Sequence, residues 1–262
     1  MNLNSFFRIS DYIHYLITAS SRHGVHSPFV YDFIETVLQQ RIKTEQFHLI
    51  ELSRKNMLRS SAKIDFEDFG GGKNSGLRSV SSLAGNTARQ AKYGQLLFKI
   101  IRRYNYQKCI ELGTGTGITG LYQAMALQGE FPLLTIEGSK SLAEIARYNA
   151  KFCGLENRMQ VVVGEFDHTL DKALSAIESI DLAYIDGNHV KKPTIEYFET
   201  ILPYCHNESM LIFDDINWTE GMKQAWHYIK NHPSVTVSID LFNFGIILFR
   251  KEQEKEHFTL RY

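Results

Sequence analysis

Lys108-Cys-Ile-Glu-Leu-Gly-Thr-Gly-Thr-Gly117 reads as a short buried strand that runs into a glycine turn and, from Ile118, into a helix. Glycines at 113, 115 and 117 let the backbone approach a bound group closely, and the first N–H groups of the helix point at it. Read two residues on, Gly115-Thr-Gly117-Ile-Thr-Gly120 also satisfies the dinucleotide pattern G-x-G-x-x-G, so the glycines alone leave open which nucleotide-bearing cofactor is meant. The next strand, Leu133-Leu-Thr-Ile-Glu137, ends on an acid twenty residues past Gly117, where a carboxylate would accept hydrogen bonds from ribose hydroxyls. A purely structural turn is the plain alternative, and it leaves the coincidence of strand, helix and acid without a cause.

Outward from this turn, short apolar strands alternate with amphipathic helices. A helix over about 88–104 precedes it. Behind Glu137 a helix opens at Ser141, with Glu144 three residues on in the pattern of a capping box, and closes at Gly154. Strand 159–163, helix 168–179, strand 181–186, helix 194–204, strand 209–213 and helix 219–231 follow. Val161-Val-Val163 and Leu211-Ile-Phe213 are apolar at consecutive positions, as strands buried on both faces should be. Five such units predict an α/β fold with a Rossmann-like, doubly wound parallel sheet. Val235, Val237, Ile239 and Leu241 then alternate, Asn243-Phe-Gly245 signals a turn, and Ile246-Ile-Leu-Phe249 returns without a helix. That connection adds a C-terminal antiparallel hairpin, for seven strands in all.

In front of the sheet, residues 1–58 read as a helical cap. Phe6, Ile9, Ile13, Leu16 and Ile17 recur at helical spacing. After Arg22-His23-Gly24-Val25-His26, Ser27 as N-cap and Pro28 open a second helix, with the stripe Phe29, Val30, Phe33, Ile34, Val37 and Leu38. These stripes need a surface, either the larger domain or a second subunit, so a homodimer through the N-terminal helices is an expectation. His23 and His26 read as helix-entry residues ahead of a role in a site. Residues 59–87, with Gly70-Gly-Gly-Lys73 and Gly76, show no sustained periodicity and read as a linker or a lid. Residues 88–250 form the cofactor-binding domain and 251–262 a tail. Arg89, Lys92, Lys99, Arg102 and Arg103 read as a solvated basic face without interleaved aromatics. Trp226 belongs with Met222, Ala225 and Ile229 on a core stripe, whereas Trp218 is placed to border an acceptor pocket.

With 262 residues, 44% of them hydrophobic, the chain can bury a full α/β core, which excludes a disordered or disulfide-scaffold protein. Its 29 basic residues balance 29 acidic ones, which demotes nucleic acid as a partner. Cys109, Cys153 and Cys205 are too far apart to form C-x-x-C pairs and read as free thiols of a reducing compartment. Arg8 and Asp11 interrupt the apolar stretch a signal peptide needs, and no window approaches the ~18 apolar residues of a membrane span. The cytoplasm is the expected location.

The later strands end in Tyr184-Ile-Asp186-Gly187-Asn188-His189 and Ile212-Phe213-Asp214-Asp215-Ile216-Asn217-Trp218. Carboxyl ends of neighbouring parallel strands open on one crevice, so Asp186, Asp214 and Asp215 can converge there. Clustered carboxylates repel, and a hard cation such as Mg²⁺ relieves them, binds a substrate hydroxyl and lowers its pKa. His189 suits a general base. Caps of the following helices and a plain loop histidine are the structural alternatives.

Over about residues 88–250 the chain resembles the class I S-adenosylmethionine-dependent methyltransferases, whose first motif is an acid followed by alternating glycines, here Glu111, Gly113, Gly115 and Gly117. The resemblance implies that the glycines pass under the methionine part of the cofactor and that Glu137 holds the ribose. It places Glu165 and Phe166 at the adenine and brings Asp186 to the cofactor as well. Asp186 and His189, with Asp214-Asp215, match the metal and catalytic stretches of the antibiotic-sugar O-methyltransferases, and more loosely those of the catechol type. That resemblance implies Asp186, Asp214 and Asp215 as ligands of Mg²⁺ or another divalent cation, and His189 with Asp186 as the catalytic pair. The Arg22–Phe29 stretch also resembles a group of uncharacterised bacterial methyltransferases. The implied activity is O-methylation of a small hydroxylated acceptor. N-methylation of RNA or protein, a nicotinamide-dependent oxidoreductase and a non-catalytic cofactor-binding module are the rival readings.

Overall fold

Apolar runs bounded by glycines and caps become the strands and helices of two compact units, one of residues 39–178 and one of residues 1–38 with 179–262. The computed structural model describes residues 3–20, 24–67, 69, 75–87 and 90–262. Arg22, His23, Gly70 to Lys73 and Arg89, singled out above, lie outside the described residues.

The unit of residues 39–178 contains α3 (His48–Arg59), β1 (Lys63–Phe66), β2 (Gly76–Ser79), α4 (Val80–Thr87), α5 (Ala91–Tyr104), β3 (Cys109–Leu112), α6 (Ile118–Ala126), β4 (Leu133–Glu137), α7 (Lys140–Phe152), β5 (Met159–Val163) and α8 (Phe166–Ile177). The other unit contains α1 (Leu3–Thr18), α2 (Pro28–Phe33, continued by a wider turn Ile34–Leu38), β6 (Ile180–Ile185), α9 (Lys191–Ile201), β7 (Cys205–Phe213), α10 (Glu220–Asn231), β8 (Val237–Asp240), β9 (Gly245–Leu248) and β10 (Glu256–Thr259).

Among the described residues, each unit carries its own run of paired strands. In the 39–178 unit β3 pairs with β4 and β4 with β5, all parallel. Every residue of β3 is buried, which accounts for its unbroken apolar run apart from Glu111. In the other unit the order is β10-β8-β9-β7-β6. β6 and β7 are parallel, and β9 runs antiparallel to both β7 and β8. The α/β, doubly wound reading stands, but the count of seven strands needs correction. β10 pairs in parallel with β8, so residues 256–259 of the supposed tail are an eighth strand. Its strand pattern is short, and charged residues fill 250–256 apart from Gln253. What seats it is the burial of Phe258 and Leu260, together with a hydrogen bond from the Tyr15 hydroxyl to the Leu260 carbonyl at 2.6 Å.

Residues 59–87 are also corrected. β1 and β2 form an antiparallel hairpin, Lys63 opposite Ser79 and Phe66 opposite Gly76, and α4 follows directly. Two four-residue strands of partly exposed residues are too short to show a period. Ser141 does not cap α7. That position belongs to Ser139, and the Ser141 hydroxyl instead donates to the Asp65 carbonyl of the hairpin at 2.6 Å.

Ser27 and Pro28 open α2 as read, the Ser27 hydroxyl accepting from the Val30 N–H at 3.4 Å. Val30, Phe33, Ile34 and Val37 are buried. The face of α1 differs from its predicted stripe. Tyr15 is buried and meets Tyr12 and Phe242, while Ile13 and Ile17 are 52% and 77% exposed. The basic face on α5 is corrected too. Lys99 is buried with its ammonium 3.4 Å from the Gln40 carbonyl. Lys92, Arg102 and Arg103 lie over the rings of Tyr93, Phe98 and Tyr104, so aromatics do interleave. Trp226 is buried as expected, and Trp218 is half-exposed. Among the described residues, no helix is long and apolar enough to cross a membrane.

Candidate active site

The glycine turn after β3 needs its glycines for backbone reasons. Gly113, Gly115 and Gly117 have φ of 95°, 54° and 83°, in the region that side chains disfavour. At Gly117, which precedes α6, a Cβ would also come within 2.9 Å of the Ala146 Cβ. The turn is tied to β4 by N–H bonds from Gly113 and Thr114 to the Ile136 carbonyl at 3.0 and 3.2 Å.

Glu137 then joins three strand ends. Its Oε2 accepts from the Gly115 N–H at 2.8 Å and its Oε1 from the Ser139 N–H at 2.9 Å. Its carbonyl accepts from the Gly164 N–H at 2.9 Å. The turns 113–117, 137–139 and 164–166 therefore form one cradle. A carboxylate oxygen can accept more than one hydrogen bond, so a Glu137 held by backbone N–H groups is of the chemical type that binds a diol. Ser139 Oγ and Thr116 Oγ1 are buried with no hydrogen-bond partner among the described residues. Glu165 lies at the edge of the cradle, exposed, and Phe166 opens α8 half-buried.

Glu111 does not line this cradle, contrary to its placement among the cofactor contacts. It is wholly buried, its Oε1 accepting from Gln123 at 2.7 Å and its Oε2 from the Thr135 hydroxyl at 2.6 Å. The Thr135 hydroxyl also lies 2.6 Å from that of Thr114. A buried carboxylate needs such donors, and this one uses them to hold the glycine turn against β4. Gly120 belongs to the same network, since a Cβ there would come 2.7 Å from Glu111 Oε2. Thr135 and Gln123 escaped the sequence reading. Their only signal was a polar side chain inside an otherwise apolar strand and helix.

In the other unit, the ends of β6 and β7 bring Asp186 and Asp214 together around one hydroxyl. Tyr184 Oη lies 3.1 Å from Asp186 Oδ2 and 2.9 Å from Asp214 Oδ2, and its single proton can serve only one of them at a time. Asp214 is buried, and its other oxygen accepts from the Asp215 N–H at 2.7 Å. His189 Nε2 lies 3.4 Å from Asp186 Oδ1 with its ring about one-third exposed. Asn188, His189 and Asp215 all have positive φ, so both strand-end turns are bent sharply. Asp186, Asp214 and Asp215 do not assemble as a cation site. Among the described residues no group of three His, Cys, Asp or Glu is arranged to hold a metal ion. The Tyr184 hydroxyl stands where repulsion called for a cation. Tyrosine inside an apolar strand was the overlooked signal.

A family model described as "Methyltransferase domain" matches residues 110–216. A catechol O-methyltransferase of Niastella koreensis is 27% identical over 128 residues, 48% of this chain and 56% of that protein. One of Mycobacterium tuberculosis is 24% identical over 129 residues, 49% and 57% of the two chains. The chain thus spans little more than half the length of the curated relatives it matches. Among solved structures, an O-methyltransferase of Bacillus cereus in complex with S-adenosylhomocysteine superimposes with a TM-score of 0.54 at 19% identity, covering 85% of this chain and 97% of that one. The S-adenosylhomocysteine-bound methyltransferase PaMTH1 of Podospora anserina does so with a TM-score of 0.61 at 13% identity, covering 87% and 98%. At these identities the superpositions show a shared fold.

Proposed function

We propose that this chain, which carries a methyltransferase domain over residues 110–216, binds S-adenosylmethionine on the cradle of residues 39–178 and transfers its methyl group to a hydroxyl oxygen of a small acceptor. The observation that carries the reading is Glu137, a strand-end carboxylate fixed across the N–H groups of Gly115 and Ser139 at the glycine turn, of the type that takes a ribose diol. The cofactor, when bound, supplies a methyl already activated on a sulfonium sulfur. The chain's own work is alignment and proton removal. Positive-φ glycines keep the turn free of side chains where the methionine part would lie, and the Glu111 network holds that turn in place. His189 takes the acceptor's hydroxyl proton on Nδ1, the nitrogen turned away from Asp186, while the Asp186 carboxylate beside Nε2 orients the ring and favours the imidazolium that forms. The Tyr184 hydroxyl bridges the carboxylates of Asp186 and Asp214, and the Asp215 N–H binds Asp214, so the proton acceptor in this reading is His189. The hydroxyl acceptor is supported by the catechol O-methyltransferases among the relatives, and the balanced charge favours a small molecule over a polyanion.

The test is ligand-induced stabilisation. S-adenosylhomocysteine is expected to raise the melting temperature of the wild type and NAD to leave it unchanged, with Glu137→Ala abolishing the shift. A response to NAD alone would replace this reading by the oxidoreductase one.

A further inference from the structure

The hairpin β1–β2 reaches the cofactor cradle through a residue that no motif singled out. The ring of Phe69 lies against Gly138, immediately after Glu137, so closely that a Cβ on Gly138 would come 2.6 Å from its Cδ2 and 2.9 Å from its Cγ. A second anchor holds the same stretch of chain, since the Ser141 hydroxyl donates to the Asp65 carbonyl at 2.6 Å. Phe69 remains 45% exposed although it is a large apolar ring in contact with the backbone. That is the state of an aromatic surface with one face seated and another open to a ligand. Its place is specific. The Gly164 N–H binds the Glu137 carbonyl, which sets the 164–166 turn beside 137–139. A nucleoside whose ribose is held by Glu137 therefore carries its base beside Gly138.

We propose that Phe69 is a cofactor-contacting residue that packs its ring on the adenine of S-adenosylmethionine, supplying from the hairpin the apolar wall that Gly138, lacking a side chain, cannot. The proposal rests on the cofactor reading above. It gives residues 63–79 a role in cofactor affinity and makes the absence of a side chain at 138 a requirement for seating the ring.

Calorimetry with S-adenosylhomocysteine and with adenosine on the full chain tests it. Phe69→Ala is expected to weaken both ligands by a similar factor, about five- to hundredfold from the usual worth of a base on an aromatic ring, with the melting temperature of the free protein little changed. Phe69→Trp restores binding and Phe69→Leu does not, which separates stacking from the filling of space. Gly138→Val reproduces the loss by displacing the ring. Wild-type affinity in Phe69→Ala, or a leucine that rescues as well as tryptophan, overturns the proposal. A wild type that binds neither ligand, or a Glu137→Ala variant that binds both normally, overturns the cofactor reading and this proposal with it.

Discussion

At the scale of single residues, the chain separates groups that hold the site from groups that act in it. Glu111 and Glu137 are both acids at strand ends, yet one has its carboxylate enclosed by the side chains of Gln123 and Thr135 while the other is held by the backbone N–H groups of the cradle. In the proposed function His189 and Asp186, 3.4 Å apart, are the pair that removes the acceptor's proton. His189→Ala is expected to lower kcat about a hundredfold or more, the usual worth of a positioned base, while S-adenosylhomocysteine affinity stays the same. EDTA is expected to leave the wild-type rate unchanged; a loss that Mg²⁺ restores would return the acids to the role of metal ligands. Lys99 makes a different prediction. Burial pulls its pKa from 10.5 down to about 8. Below pH 8 both folded and unfolded chains carry the proton, and the folded one bears the full cost of a desolvated ammonium. Between about pH 8 and 10.5 the folded chain gives up the proton first, so this residue's contribution to stability improves as pH rises. Lys99→Met is expected to raise stability at pH 7 by at most about 3 kcal/mol, and to flatten that rise in urea titrations at pH 7 and pH 10.

At the scale of elements, the two corrections share a cause. β10 and the β1–β2 hairpin are built of four-residue strands tied to the rest of the chain by groups distant in sequence, β10 through the Tyr15 bond to Leu260 and the hairpin through the Ser141 bond to the Asp65 carbonyl. β10 lies beside β8, Leu260 continues it into a bridge with Ser20, and the Arg261 guanidinium reaches the Leu16 carbonyl of α1. Leu260→Ala is therefore expected to cost about 2–5 kcal/mol, the range for a buried leucine, read as a lowered denaturation midpoint. The long strands and helices around the glycine turn behave otherwise. β3 to β7 appear where periodicity put them, displaced by a few residues at their ends, because consecutive apolar positions already state that both faces are covered.

At the scale of the whole molecule, ligand linkage makes the cofactor reading measurable. S-adenosylhomocysteine at a hundred times its Kd adds about 2.7 kcal/mol, which for a chain of this size is a shift of roughly 5–10 °C. Cys109 and Cys153 are buried and Cys205 half-buried, and burial pushes the thiols of Cys153 and Cys205 up to about 11 and about 12, so they stay protonated at neutral pH. By itself the sequence determined the α/β alternation, the glycine turn with Glu137, and the acids at the ends of β6 and β7, because period, turn chemistry and strand-end position are local properties of the chain. Tertiary structure alone decided that Glu111 faces inward, that Tyr184 stands between Asp186 and Asp214, that Phe69 reaches Gly138 and that residues 256–259 join the sheet. Each of these depends on which distant group a side chain or strand meets, and a hydrogen bond or a ring contact across the fold leaves no period in the residues that make it.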